Sequence, residues 1–65
     1  MDNDIGEFAG VIWRILNEKG ALTPAQIKKE SNGSDFLVSA ALGWLAREGK
    51  LKFSTSGKTF KISLK

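Results

Sequence analysis

Residues 21–51 read ALTPAQIKKESNGSDFLVSAALGWLAREGKL, and the punctuation of this stretch decides the fold. Thr23 is placed to cap a helix, Pro24 takes the first helical position, where a missing N–H is harmless, and Gln26 stands where its amide can reach back to the Thr23 backbone. The helix opened here is short, about 24–31, with Ile27 inward and Lys28, Lys29 and Glu30 toward water. The SNGS run from Ser31 to Ser34 reads as a turn in which Gly33 can take a positive φ and Ser34 caps the next helix. That helix, about 35–48, sets Leu37, Val38, Ala41, Leu42, Trp44 and Leu45 on one broad side. Phe36, Ser39, Ala40, Gly43 and Arg47 fall on the other, and Gly49 ends it. Two helices joined by so short a turn make a helix-turn-helix.

Upstream, DIGEFAGVIWRILNEKG begins with Asp4 as a cap and Glu7 three residues on, and stops at Gly20 after Lys19, which predicts a helix over about 4–19. Its apolar residues, from Ile5 to Leu16, spread over an arc of roughly 200°, about twice what one small core needs. The surplus edge, either Val11 with Ile15 or Trp13, is a candidate surface for a second chain. Ala21 and Leu22 form a short edge strand before the second helix. Downstream, KLKFSTSGKTFKISLK alternates: Leu51, Phe53, Phe60, Ile62 and Leu64 point one way, and Lys50, Lys52, Lys61 and Lys65 the other. With a turn at Ser56-Gly57, this is a two-stranded hairpin over about 50–64, the wing. The expected fold is α+β: a single winged helix-turn-helix domain over 1–65, with three helices, a C-terminal hairpin and the short edge strand between the first two helices.

ALTPAQIKKES followed by SAALGWLAREGKLKF and GKTFKISL resembles the small stand-alone winged helix-turn-helix proteins of bacteria and archaea whose role is unassigned. The resemblance runs from Ile5 to Leu64, and GWLAREGKL is its most specific part. It implies the same fold for this chain.

A chain of 65 residues buries only about 60 % of the surface it exposes when unfolded. Disulfides and metal sites, the usual reinforcements of small domains, have nothing to rest on, because Cys and His are absent. Tight packing or a partner chain remains, and a homodimer is the expected partner. No segment reaches the ~20 apolar residues of a membrane span or shows the pattern of a signal peptide, and the lack of Cys fits a reducing compartment, so the expected location is cytoplasmic. Asn32-Gly33-Ser34 matches a glycosylation acceptor, but here it is the turn. SGKT, Ser56 to Thr59, mimics the end of a phosphate-binding loop, yet Lys52 stands where that loop needs its first glycine and a strand follows where a helix should. Without imidazole or thiol, and with Asp4 and Glu7 explained by capping, the expectation is no enzyme, no cofactor and no metal.

Charge is distributed unevenly. Residues 1–49 carry five basic and seven acidic groups, net −2, whereas residues 50–65 carry five lysines and no acid, net +5. Lysines on the outer side of a wing can lie along phosphates. The α-helix that would enter a groove is poorer: its outward side offers one arginine among Asp35, Phe36, Ser39, Ala40 and Gly43. The expected function is a nucleic-acid-binding module, a regulator of transcription in the usual setting of this fold, that touches the backbone of DNA with weak sequence preference. Lys28, Lys29, Ser39, Arg47, Lys50, Lys52, Lys58 and Lys61 are its candidate contacts. The alternative is a protein-interaction or dimerisation module that kept the scaffold without DNA binding, through Val11, Trp13, Ile15 and Phe36. Trp13 and Trp44 fall at the borders of their apolar arcs, between core and interface.

Overall fold

A computed structural model describes residues 4–65, apart from the Asp4 side chain, so the capping expected of Asp4 lies outside the described residues. The order is α1 (Asp4–Lys19), α2 (Pro24–Ser31), α3 (Asp35–Arg47), β1 (Leu51–Ser56) and β2 (Thr59–Leu64). This is the α+β winged helix expected from the pattern.

The helix boundaries follow from side-chain caps. Gln26 N–H donates to Thr23 Oγ1 at 3.2 Å while Thr23 N–H donates to Gln26 Oε1 at 2.9 Å, the reciprocal box read in the sequence. Leu37 N–H donates to Ser34 Oγ at 3.1 Å at the start of α3. Between them the left-handed residue is Asn32, with φ 57°, so the positive φ expected at Gly33 lies one residue earlier. Asn tolerates that region because its short polar side chain can bond locally. Gly33 serves a different need: a Cβ there would stand 2.2 Å from Phe8 Cζ, so the turn rests directly on the α1 ring.

α3 ends at Arg47, one residue before the expected boundary, with Glu48 as its C-cap. Gly49 takes φ 71°; its N–H donates to Ala46 O at 3.0 Å, and Lys50 N–H donates to Leu45 O at 3.1 Å. This paired closure satisfies the last helical carbonyls and turns the chain straight into β1.

β1 and β2 pair antiparallel, with Leu51 opposite Leu64, Phe53 opposite Ile62 and Ser56 opposite Thr59. The turn is therefore Gly57-Lys58 rather than Ser56-Gly57. Gly57 has φ 62° and Lys58 no positive φ, the pattern of a type II′ hairpin, which places Gly first. Moving the turn by one residue moves the register by two, so both registers present the same residues to the same face. Alternation alone could not choose between them. Leu22 adds a one-residue bridge to the sheet: its N–H donates to Ile62 O at 2.9 Å and accepts at its own carbonyl from Ile62 N–H at 2.7 Å. That bridge is the expected edge strand at its shortest.

The core draws Ala9, Ile12 and Leu16 from α1, Ile27 from α2, Val38, Ala41 and Leu45 from α3, and Leu51 and Ile62 from the hairpin. Phe8, Leu22, Leu42 and Leu64 pack partly buried around it. Among the described residues no polar or charged side chain is buried, so the core they form is apolar.

Candidate nucleic-acid interface

The hairpin register fixes which groups share a face. In an antiparallel pair, opposite residues point the same way and successive rungs alternate. Lys52 with Ser63, Ser54 with Lys61, and Ser56 with Thr59 therefore form the outer face, while the rungs of Leu51, Phe53 and Thr55 form the inner one. Lys52 and Lys61 are diagonal neighbours, a separation of roughly 7–8 Å between Cα atoms. Lys58 occupies the tip, and Lys65 N–H donates to Lys50 O at 3.1 Å, which carries the ladder past β2 and sets both lysines at the base. All five are exposed. The hydroxyls of Ser54, Ser56 and Thr59 lie between them, neutral groups of the kind that also bond phosphate oxygens.

The other expected contacts divide. Lys28 Nζ lies 2.7 Å from Asp35 Oδ1, an ion pair across the α2–α3 turn. It softens the repulsion that Asp35 would offer a phosphate, but it also ties Lys28 to the N-terminal end of α3. At 1.5 Å per residue that end is roughly 20 Å along the helix from Lys50. The expected basic set is thus two groups: Lys28 with Lys29 at one end of α3, and the wing at the other. Lys19 is 3.6 Å from Glu30, so the described ion pairs both involve α2 or its border and neither involves the wing.

On α3, Ser39, Gly43 and Arg47 are exposed and Ala40 is half-buried. Arg47 borders a shallow hollow of about 400 Å³ with Ile5, Ala40, Gly43, Trp44 and Glu48. Beside it an acidic Glu48 offsets the one arginine, so this helix brings shape to a partner and little net charge.

The expected protein contacts are more exposed than a core role allows. Phe36 is 73 % exposed, so it does not pack against the body of the domain. Val11 and Trp13 are exposed on opposite flanks of the buried α1 stripe, while Ile15 is half-buried. Both edges of that stripe are therefore surplus, where the pattern had suggested one or the other. Trp44, 50 % exposed, lines with Trp13 of α1 a groove of about 280 Å³ whose other walls include Gly6, Gly10 and Lys50.

Two side chains share a face with the hairpin's core residues without being buried. Phe53 and Phe60 are 48 % and 40 % exposed, with ring centroids 5.8 Å apart and planes 7° from parallel. They lie on the inner face, Phe53 opposite Ile62 and Phe60 one rung farther out, while only Leu51 and Ile62 of the hairpin are buried. No sequence signal finds this, because alternation assigns a face and not a depth of burial along the strand.

No helix among the described residues is long and apolar enough to cross a membrane, and no cluster of acidic groups among them could hold a metal ion.

Comparison with known proteins converges on the same architecture. An uncharacterized protein of Methanocaldococcus jannaschii, MJ1608, is 42 % identical over 65 residues, which span 94 % of this chain and 90 % of the relative. The solution NMR structure of protein BT2368 from Bacteroides thetaiotaomicron superposes with a TM-score of 0.85 at 31 % identity, covering 98 % of this chain and 79 % of that one. The family described as Winged helix-turn-helix domain (DUF2582) matches residues 1–64. With a helix-turn-helix followed by a hairpin within the matched residues, the chain belongs to that family of winged helix-turn-helix domains, a fold that suits a nucleic-acid-binding module.

Proposed function

We propose that this chain binds nucleic acid through the phosphate backbone, with its wing as the main contact and α3 contributing fit more than base reading, and that it serves as a regulator of low intrinsic sequence preference. The observation that carries this reading is the lysine arrangement of the wing, with Lys52 and Lys61 on one face, Lys58 at the tip, and no acid from Lys50 onward. Each phosphate contact releases counterions and so appears in the salt dependence of binding. Replacing Lys52 and Lys61 together with alanine should weaken binding to every duplex alike. It should also flatten the log-log salt slope by about 1.8, at about 0.9 per lost contact. Anisotropy titrations of random duplex at two or more salt concentrations measure this. An unchanged slope, or a strong preference for one duplex that collapses on altering Ser39 or Arg47, would move recognition to the helix.

A second reading has its own support. Tryptophan dominates interface hot spots, and Trp13 and Trp44 stand half-exposed on the two sides of one groove. A second copy of the chain docked there would cover apolar surface that this small core leaves out. Sedimentation from micromolar to millimolar protein should then show a monomer–dimer equilibrium that Trp13→Ala and Trp44→Ala shift toward monomer. A strict monomer over that range ends the dimer reading without touching the first.

A further inference from the structure

We infer that the Phe53–Phe60 pair is a stacking platform for unpaired bases, so that the preferred ligand of this chain is single-stranded nucleic acid or the single-stranded part of a larger one. The inference rests on the backbone-binding reading above and specifies its ligand. Phe53 sits opposite Ile62 and Phe60 opposite Thr55, on adjacent inward rungs. Their rings are within 7° of parallel, and a centroid separation of 5.8 Å at that angle means they are offset rather than superposed. Each therefore keeps part of a π-face uncovered, in keeping with exposures of 48 % and 40 %.

The fold does not need these rings. Phe53 shares a rung with buried Ile62 yet stays 48 % exposed, and Phe60 lies one rung farther out, opposite Thr55, a small polar residue that serves on the same face. Exposed apolar rings in a solvated ribbon call for an occupant, and the surrounding charge selects it. The pair lies within a stretch of five lysines and no acid, with Lys52 and Lys61 its immediate sequence neighbours and Lys58 at the tip. An apolar protein surface would gain nothing from those lysines, whereas a nucleotide offers a π-face and a negative charge within one residue of chain. The lysines point to the opposite face of the ribbon, but two strands are only about 4.8 Å apart, and a lysine stem carries its charge around such an edge. A strand whose bases lie on the rings thus passes its phosphates along the hairpin margin. In a duplex the bases are already stacked and cannot use the platform except at an end. Stacking on an aromatic is tolerant of base identity, which agrees with low specificity.

The test is fluorescence anisotropy at low salt with a labelled oligo-dT and a fully paired, loop-free DNA duplex of equal phosphate number. The intact chain should bind the single strand more tightly. Phe53→Ala with Phe60→Ala should lower affinity for the single strand by at least about tenfold and leave the duplex unchanged. Phe53→Leu with Phe60→Leu, which keeps the apolar bulk and guards against unfolding, should lose the same preference, and Phe60→Tyr should retain it. The lysine pair Lys52→Ala with Lys61→Ala should weaken both ligands together. Equal loss on both ligands from the phenylalanine changes, or loss on neither, overturns the platform while the lysine dependence still upholds backbone binding. Dimers that the phenylalanine changes dissociate would overturn it in favour of a contact between copies. If no oligonucleotide binds even at low salt, the backbone-binding reading fails and the platform with it.

Discussion

Ile27→Ala should leave little folded protein at room temperature. α2 has 8 residues, too few to persist alone, since isolated helices shorter than about 12–15 residues are marginal in water. Its caps fix where it begins, but what holds it to the domain is one buried side chain. Ile27 is fully buried and is the sole α2 member of the core, where α1, α3 and the hairpin also meet. Truncation to alanine removes about 2–5 kcal/mol at such a site, the spread depending on how far the cavity can close. A core in a chain this small supplies only about 3–5 kcal/mol of net stability. The two magnitudes are comparable, so the expected outcome is a melting temperature lowered by tens of degrees or no cooperative transition. Circular dichroism melts and amide dispersion in NMR measure it. Phe36→Ala, on the same helix-turn-helix but 73 % exposed, should stay within about 0.5 kcal/mol of the parent. An Ile27→Ala protein that melts within a few degrees of the parent would show that α2 is held by something other than its core anchor.

The same contrast explains what could be read from the sequence. Helix boundaries rest on groups a few residues apart, such as Thr23 with Gln26 and Ser34 with Leu37, and these were legible because the interaction is local. The inward side of each helix followed from periodicity for the same reason, but not its buried width: of the apolar side of α3 only Val38, Ala41 and Leu45 are buried, and Trp44 is 50 % exposed. Quantities set by distant parts of the chain were hidden. Periodicity assigns Phe53 and Phe60 a face but says nothing about how far α1 and α3 reach along the hairpin, so their exposure appeared only in three dimensions. The pairing of Lys28 with Asp35 spans a turn whose angle the sequence leaves open, and it sets one of the expected phosphate contacts beside a carboxylate. The hairpin register escaped because both turns give the same faces, and the choice fell to the type II′ preference for Gly in first place.

Separation of duties follows from that arrangement. The acidic groups lie on the three-helix part, where residues 1–49 are net −2, and the wing carries the cations. A polyanion approaching this molecule is drawn to the hairpin and discouraged from the helical body beyond it. Screening at physiological salt, about 8 Å, confines that preference to the near surface. Any pull of the wing lysines is thus short-ranged, which suits the modest affinity proposed for one hairpin.

Gly33→Ala should cost stability through the ring it meets rather than through its own backbone. Gly33 has no positive φ, so its conformation is open to alanine. A Cβ at that position, however, would lie 2.2 Å from Phe8 Cζ, 2.9 Å from Cε2 and 3.1 Å from Cε1. Phe8 packs half-buried against the core and cannot simply swing into solvent without uncovering it. Either the ring moves and loses packing, or the turn lifts from α1. Overpacking of this kind costs about 1–3 kcal/mol, and each kcal/mol shifts the melting temperature of a 60–100-residue domain by about 4–8 °C. A double-mutant cycle with Phe8→Ala separates the two causes. Run in sucrose to keep the weaker variants folded, it should show Gly33→Ala costing its full amount in the parent and almost nothing once the ring is gone. An equal cost in both backgrounds would place the strain in the turn itself. Because the seat of Gly33 on Phe8 fixes the helix-turn-helix to α1 and touches none of the wing lysines, the folded Gly33→Ala protein should keep the parental salt slope for duplex binding. A slope that changed with it would mean that the α2–α3 turn, and with it Lys28 and Lys29, shares the phosphate contacts assigned to the wing.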